Sequence, residues 1–183
     1  MSGTVYSDDD IVIVNKSPGE DSERLAESIG AFPCHRLDKA ASGLLLLAKN
    51  KRAAAALCVP GGVKKTYIIR VEGILEQKSG RLEDLLWRDA RKNKTYVVDR
   101  IRAGVKPAIL EYRVISESDG FSTVECRMIT GRTHQIRVQF ASRAHPVCGD
   151  RRYGSKESGE LSLRCSKLEF SHPRGGEKLC FEI

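Results

Sequence analysis

Residues 108–129, "AILEYRVISESDGFSTVECRMI", decide the fold class. Two runs rich in β-branched and aromatic residues flank the turn residues "SDG" (118–120), the local signature of an antiparallel hairpin. Downstream, "LSLRCSKLEF" (161–170) alternates and reads as a strand, "SHPRGGEK" (171–178) as a turn, and "EKLCFEI" (177–183) closes the chain as a further strand. Upstream, "IVIVNK" (11–16) and "GLLLLAK" (43–49) read as buried strands. "KKTYIIRVEG" (64–73) reads as another, ending at Gly73, with Tyr67 near its start. A short helix is predicted near 22–29 with Gly30 as its stop, and an Ala-rich one over "NKRAAAALCV" (50–59), opening on Asn50 and ending before Pro60-Gly61-Gly62. Residues 78–106 hold many charges and short β-like pieces such as "TYVVD", a hairpin excursion. Only "TGRTHQIRVQFASRAHPVCGD" (130–150) stays open: Ile136, Val138 and Phe140 alternate as in a strand, while Ile136, Phe140 and Ala141 suit one helical face. The class is α+β, a mostly antiparallel mixed sheet with flanking helices.

Length and composition bound the rest. With 183 residues and 20.3 kDa, the chain suits one domain or two small lobes sharing a core. Without repeats or a long linker, 1–183 is expected to be a single domain. No apolar run approaches the ~20 residues of a membrane helix, and "MSGTVYSDDD" resembles neither a secretory signal nor a transit peptide. A cytoplasmic monomer is the expectation. The net charge of +7 favours a polyanionic partner, most often nucleic acid. None of the six cysteines is spaced C-x-x-C, so reduced thiols are expected. The four histidines lack metal-ligand spacing. No P-loop or dinucleotide fingerprint is present, and no metal or cofactor is expected.

Three stretches carry candidate chemistry. In "CHRLDKAASGLLLLAKN" (34–50), Asp38 stands two residues from Arg36, just before a buried strand. An ionised carboxylate can act as nucleophile or base without a separate activator, and a guanidinium would aim it; from the local sequence alone, a loop-capping aspartate at a turn is the more ordinary reading. In "GRTHQIR" (131–137), Arg132 and Arg137 can pair carboxylate or phosphate, and His134 and Gln135 add donors; a basic face meeting phosphates is the other reading. In "KKTY" (64–67), Tyr67 can stack on a base while Lys64 and Lys65 grip a backbone, or can be a core-edge tyrosine.

Taken in order, "HRLDKAASGLLLLAK", "KKTY" and "GRTHQIRVQFASRAHPVCGD" resemble the motifs of the RluA-type RNA pseudouridine synthases. "IVIVNKSPG", "KPAILEYRVI" and "LSLRCSKLEFSHP" extend the likeness from about residue 8 to the end. The resemblance implies the pseudouridine synthase fold around a central RNA-binding cleft, a helix over 133–143, and isomerisation of uridine in rRNA or tRNA. It implies Asp38 as the catalytic residue, attacking the sugar or abstracting a proton to give a glycal. It implies Tyr67 stacking on the target base, Arg137 pairing with the catalytic carboxylate, and Arg36 entering the gap left by the flipped uridine. Lys64, Lys65, Arg132 and His134 are then the expected RNA contacts. The alternative is a catalytically inactive RNA-binding relative. Ala41-Ser42-Gly43 stands where the family usually has Thr-Ser-Gly, and Leu163-Arg164-Cys165 where it has Leu-His-Ala. The short interval between Lys16 and His35 suggests a trimmed RNA-covering loop. No RNA-binding domain fits before residue 8, so recognition is expected from the catalytic domain alone.

Overall fold

The computed structural model describes residues 3–183. In chain order the elements are β1 (Gly3–Ser7), β2 (Ile11–Lys16), α1 (Ser22–Ser28), β3 (Phe32–Pro33), β4 (Ser42–Ala48), α2 (Lys51–Leu57) and β5 (Val63–Glu72). There follow β6 (Ser79–Asp89), β7 (Lys94–Val98), β8 (Val105–Ser118), β9 (Phe121–Met128), α3 (Gln135–Ala141), a 3-10 turn (Arg151–Tyr153), β10 (Leu163–Ser171) and β11 (Lys178–Glu182). They form two compact units, one of residues up to 66 together with 164–183, the other of 67–163. The α+β class, with a mixed and mostly antiparallel sheet, is as expected.

In the first unit β4 is the central strand. Leu44 to Ala48 are fully buried, which accounts for a continuous apolar run rather than an alternating one. One edge of β4 pairs antiparallel with β2, and β2 with β1. Its other edge is shared: β10 pairs parallel at Ser42 and Gly43, and β3 antiparallel at Leu47 and Ala48. Gly43 has φ of +106°, and a Cβ there would lie 2.3 Å from the Cys165 carbonyl oxygen. Only glycine permits that strand contact. Asn50 caps α2 by accepting from the Ala53 N–H, as its position suggested. Asp21 caps α1 through the Glu23 and Arg24 N–H groups.

In the second unit the strand order is β5-β9-β8-β6-β7. The β8–β9 hairpin closes through Asp119 and Gly120, whose φ values of +52° and +81° are those of a primed two-residue turn. The predicted excursion is the β6–β7 hairpin, with a β6 of eleven residues. α3 settles the open stretch as helix, but over 135–141 rather than 133–143. His134 sits left-handed at φ +54°, so the helix cannot begin earlier. Val138 of α3 packs with Leu86 and Ala108 against the sheet. Tyr67 is the fifth residue of β5 rather than near its start. Two short strands had no reading from sequence: β3 has only two residues, and β1 is a largely exposed edge strand without an apolar run.

Candidate active site

The first unit holds Asp38, Arg36, Lys64 and Lys65; the second holds Tyr67, Arg132, His134 and Arg137. Asp38 lies on the loop from β3 to β4, and the chain fastens that loop on both sides of it. The Cys34 N–H donates to the Leu46 carbonyl at 3.0 Å, and the Leu46 N–H donates to His35 Nε2 at 3.1 Å. His35 thereby serves β4 in the interval between β10 and β3. Ser22 Oγ donates to the Leu37 carbonyl and accepts from the Leu37 N–H, both at 3.1 Å. The Lys39 carbonyl accepts from the Gly19 N–H at 2.8 Å and from Lys16 Nζ at 3.2 Å. The Ala41 N–H closes a turn onto the Asp38 carbonyl at 2.9 Å. A half-buried carboxylate is thus carried on a backbone held at residues 34, 35, 37, 39 and 41.

Lys16, which sequence gave no role, is buried to 1 % exposure, its ammonium also donating to the Ser17 and Glu20 carbonyls at 2.9 and 3.0 Å. Burial pushes its pKa down, while the charges of Glu20, Asp21 and Asp38 oppose the shift. A fixed cation therefore stands in the electrostatic field of Asp38, supplied by β2. Burial, reinforced by the charge of Lys65, pushes the His35 pKa down to about 3, so the ring is neutral. With Nε2 accepting from Leu46, its proton is on Nδ1. Arg36 is exposed and pairs with Glu23 of α1 at 2.9 Å. Lys64 stands in solvent. Lys65 instead folds inward: it is half-buried, its Nζ donates to the Val63 carbonyl at 3.1 Å, and burial lowers its pKa. The sequence treated the two lysines as equivalent, but alternation along β5 sends them to opposite faces.

In the second unit Arg137 is buried at 6 % exposure on α3 and Asp150 at 2 %. The Asp150 carboxylate accepts from Arg137 Nε at 2.6 Å and Nη2 at 2.8 Å, a two-point fork. Asp150 closes the "HPVCGD" motif, yet sequence reasoning gave it no role. The Tyr153 ring lies 5.1 Å from the Arg137 guanidinium, and its hydroxyl is 3.0 Å from His134 Nδ1. His134 is buried and packs edge-on against that ring, so it helps shape the loop. Gln135 Oε1 accepts from Thr130 Oγ1 at 2.8 Å and the Arg132 N–H at 3.0 Å, and its Nε2 donates to the Ile109 carbonyl at 3.0 Å. Arg132 Nε donates to the Pro107 carbonyl at 2.9 Å. Tyr67 is buried at 7 % exposure. The six cysteines are free thiols. Among the described residues no three His, Cys, Asp or Glu side chains converge on a metal position, and no helix is long and apolar enough to cross a membrane.

Comparison with known proteins places these features in context. The RNA pseudouridylate synthase family matches residues 2–142, which extends the likeness upstream of residue 8 to take in β1. An uncharacterized RNA pseudouridine synthase of Bacillus subtilis, YlyB, is 31% identical over 205 aligned residues, covering 97% of this chain and 67% of its own length. The dual-specificity RNA pseudouridine synthase RluA of Vibrio parahaemolyticus is 36% identical over 199 residues, covering 93% of this chain and 78% of its own. The structure of human RNA pseudouridylate synthase domain containing 1 superposes with a TM-score of 0.84 at 25% identity, over 100% of this chain and 83% of that one. On the family match and these relatives, the chain belongs to the RluA-type RNA pseudouridylate synthases, isomerases that act on RNA.

Proposed function

We propose that this chain converts uridine of ribosomal or transfer RNA to pseudouridine, with Asp38 as the catalytic residue and residues 1–183 acting as one catalytic domain. The bond from uracil N1 to ribose C1′ breaks, the base turns, and C5 bonds to C1′. The proton that C5 loses is balanced by one gained at N1. Asp38 serves either by attacking the sugar or by removing a ribose proton to give a glycal. Tyr67 stacks on the target base. Arg137, its guanidinium oriented by the Asp150 fork, is the counter-charge of the catalytic carboxylate. Arg36 fills the space left by the flipped nucleotide, exchanging its exposed Glu23 partner for RNA. Lys64 and Arg132 meet the backbone. The enzyme acts as a cytoplasmic monomer.

The observation that carries this reading is the fastening of the Asp38 loop, because a carboxylate that reacts at one carbon must be held in place before substrate arrives. Asp38→Asn keeps the shape and removes the charge. Pseudouridine formation in the variant is expected to fall below about 1% of wild type while RNA affinity stays within about twofold. Activity well above that level, with pseudouridine read by chemical mapping of the RNA, would remove Asp38 from the mechanism.

A further inference from the structure

The charged excursion between β6 and β8 has no part in the chemistry above. From Trp87 to Lys106 there are seven Lys or Arg residues against two Asp, a net charge of +5 out of the chain's +7. On the neighbouring strands and α3 several cations are matched: Lys78 pairs with Glu117, Arg113 with Glu125, Arg127 with Glu111 and Arg143 with Asp84. Among the described residues, none of the seven cations between Trp87 and Lys106 pairs with a carboxylate. Unmatched charge of one sign on one hairpin is an electrostatic footprint for a polyanion.

Aromatic rings stand within this charge. Trp87 and Tyr96 are cross-strand partners, ring centroids 6.2 Å apart with planes 30° from parallel. Their neighbours Leu86 and Val97 pack with Val138 of α3, so alternation puts Trp87 and Tyr96 on the sheet face turned away from that helix. Both rings are half-buried, and the loop after β7 carries Ile101 at 82% exposure. The Arg102 guanidinium lies 5.1 Å from the Trp87 ring, and Lys94 Nζ 5.6 Å from that of Tyr96. An exposed cation–π contact is weaker than stacking of a base on an aromatic ring. An incoming base can therefore displace Arg102, whose charge then meets a phosphate.

We propose that this face is a platform for unpaired nucleotides of the RNA substrate, with Trp87 and Tyr96 stacking on bases and Lys94, Arg100 and Arg102 meeting phosphates. The proposal rests on RNA being the substrate and deepens that reading. The platform is also fastened to the segment that leads into α3 and to the 3-10 turn beside Arg137. The Thr95 N–H donates to Tyr153 Oη at 2.8 Å, Thr95 Oγ1 to the Thr133 carbonyl at 2.9 Å, and Arg152 Nη1 to the Asn93 carbonyl at 2.6 Å. Nucleotides held there would lie at a fixed relation to α3, which carries Arg137.

Trp87 is the only tryptophan, so its fluorescence reports on the platform directly. Short single-stranded oligouridylate added to the wild-type protein is expected to quench its emission in a saturable way. Trp87→Leu keeps apolar bulk but loses the ring, and should weaken oligouridylate binding by about 5- to 150-fold, the range for removal of one stacking partner. Arg100→Glu with Arg102→Glu changes only exposed residues; it should weaken binding and flatten the dependence of log affinity on log salt by about 0.7 for each phosphate no longer neutralised. Unchanged emission at saturating oligouridylate, or a charge-reversed double variant that binds as wild type with the same slope, overturns the platform. Pseudouridine assays on a stem-loop RNA keep the two readings apart. Quenching without any isomerisation by the wild type would sink the enzymatic reading and leave the platform standing.

Discussion

At the scale of single residues, the Arg137–Asp150 pair is the most consequential feature. A buried fork is costly to break from one side, because the surviving charge is left without compensation in a poorly solvated place. Asp150→Ala is expected to lower stability by about 3–5 kcal/mol, read as a fall in the urea midpoint. Asp150→Asn keeps an acceptor for one arm of the fork and should fold, with turnover reduced far more than RNA affinity because Arg137 is no longer held in orientation. Equal losses in turnover and affinity would show instead that Asp150 supports RNA binding as a whole. Sequence could name Arg137 as a charge that needs a carboxylate. It could not supply Asp150, because a pairing across thirteen positions depends on how α3 and the turn after Val147 pack. Lys16 was hidden for the same kind of reason. A lysine at the end of an apolar strand looks like a solvated terminus until the loop beyond it folds back and offers the Ser17 and Glu20 carbonyls, and the Asp38 loop adds that of Lys39. Asp38 and Arg36 were legible because their neighbours in sequence, the small residues and the apolar run, are also their structural context.

At the scale of elements, β4 couples the site to the core, and Gly43 is where that coupling is tightest. Gly43→Ala would both strain a φ of +106° and drive a Cβ into the Cys165 backbone, with no flexible side chain to yield. A loss above about 4 kcal/mol is expected, among the largest for a point change. Gly19→Ala provides the comparison: its φ is +86° but nothing lies within 4 Å of the added carbon, so only the backbone cost of about 1–2 kcal/mol should appear. Similar urea midpoints for the two variants would mean that the β4–β10 contact relaxes more easily than its geometry indicates. The same distinction explains what sequence could and could not resolve. The β8–β9 hairpin was readable because Asp119 and Gly120 satisfy the turn locally. α3 was not, since Ile136, Val138, Phe140 and Ala141 satisfy both periods. Its start is fixed by the left-handed His134 and by Gln135 bonding back to residues 109, 130 and 132. β1 left no signal because an exposed edge strand needs no apolar pattern; its order comes from its pairing with β2.

At the scale of the whole molecule, two groups that hold the first unit together respond to pH in different windows. His35 carries the more informative one. Its folded pKa, about 3, lies below the ordinary histidine value of 6.5, because burial and the neighbouring Lys65 charge disfavour the imidazolium and Nε2 is committed to the Leu46 N–H. The unfolded chain therefore binds a proton that the folded chain refuses. Stability is fully present above pH 6.5 and is lost as pH falls from there toward about 3, with a slope of up to ~1.4 kcal/mol per pH unit. Asp8 acts lower. Partial burial raises its pKa, but the Ile11 and Asp10 N–H groups, the Tyr6 hydroxyl and His172 together hold it down to about 2 against an ordinary 3.8. Its contribution is present above 3.8 and disappears only below that, as pH falls toward about 2. The interval from about pH 4 to about pH 6.5 thus isolates His35 from Asp8. His35→Gln replaces the imidazole with an acceptor for Leu46 that does not titrate. Urea midpoints measured between about pH 7 and about pH 5 should fall for the wild type and stay nearly level for the variant. Parallel curves would show that the ring takes up its proton without disturbing the Leu46 bond, and that the loop carrying Asp38 is not anchored through His35. A flat variant curve would tie the acid sensitivity of the first unit to the residue three positions before Asp38, the proposed catalytic residue, so that activity and stability should decline together as the medium is acidified.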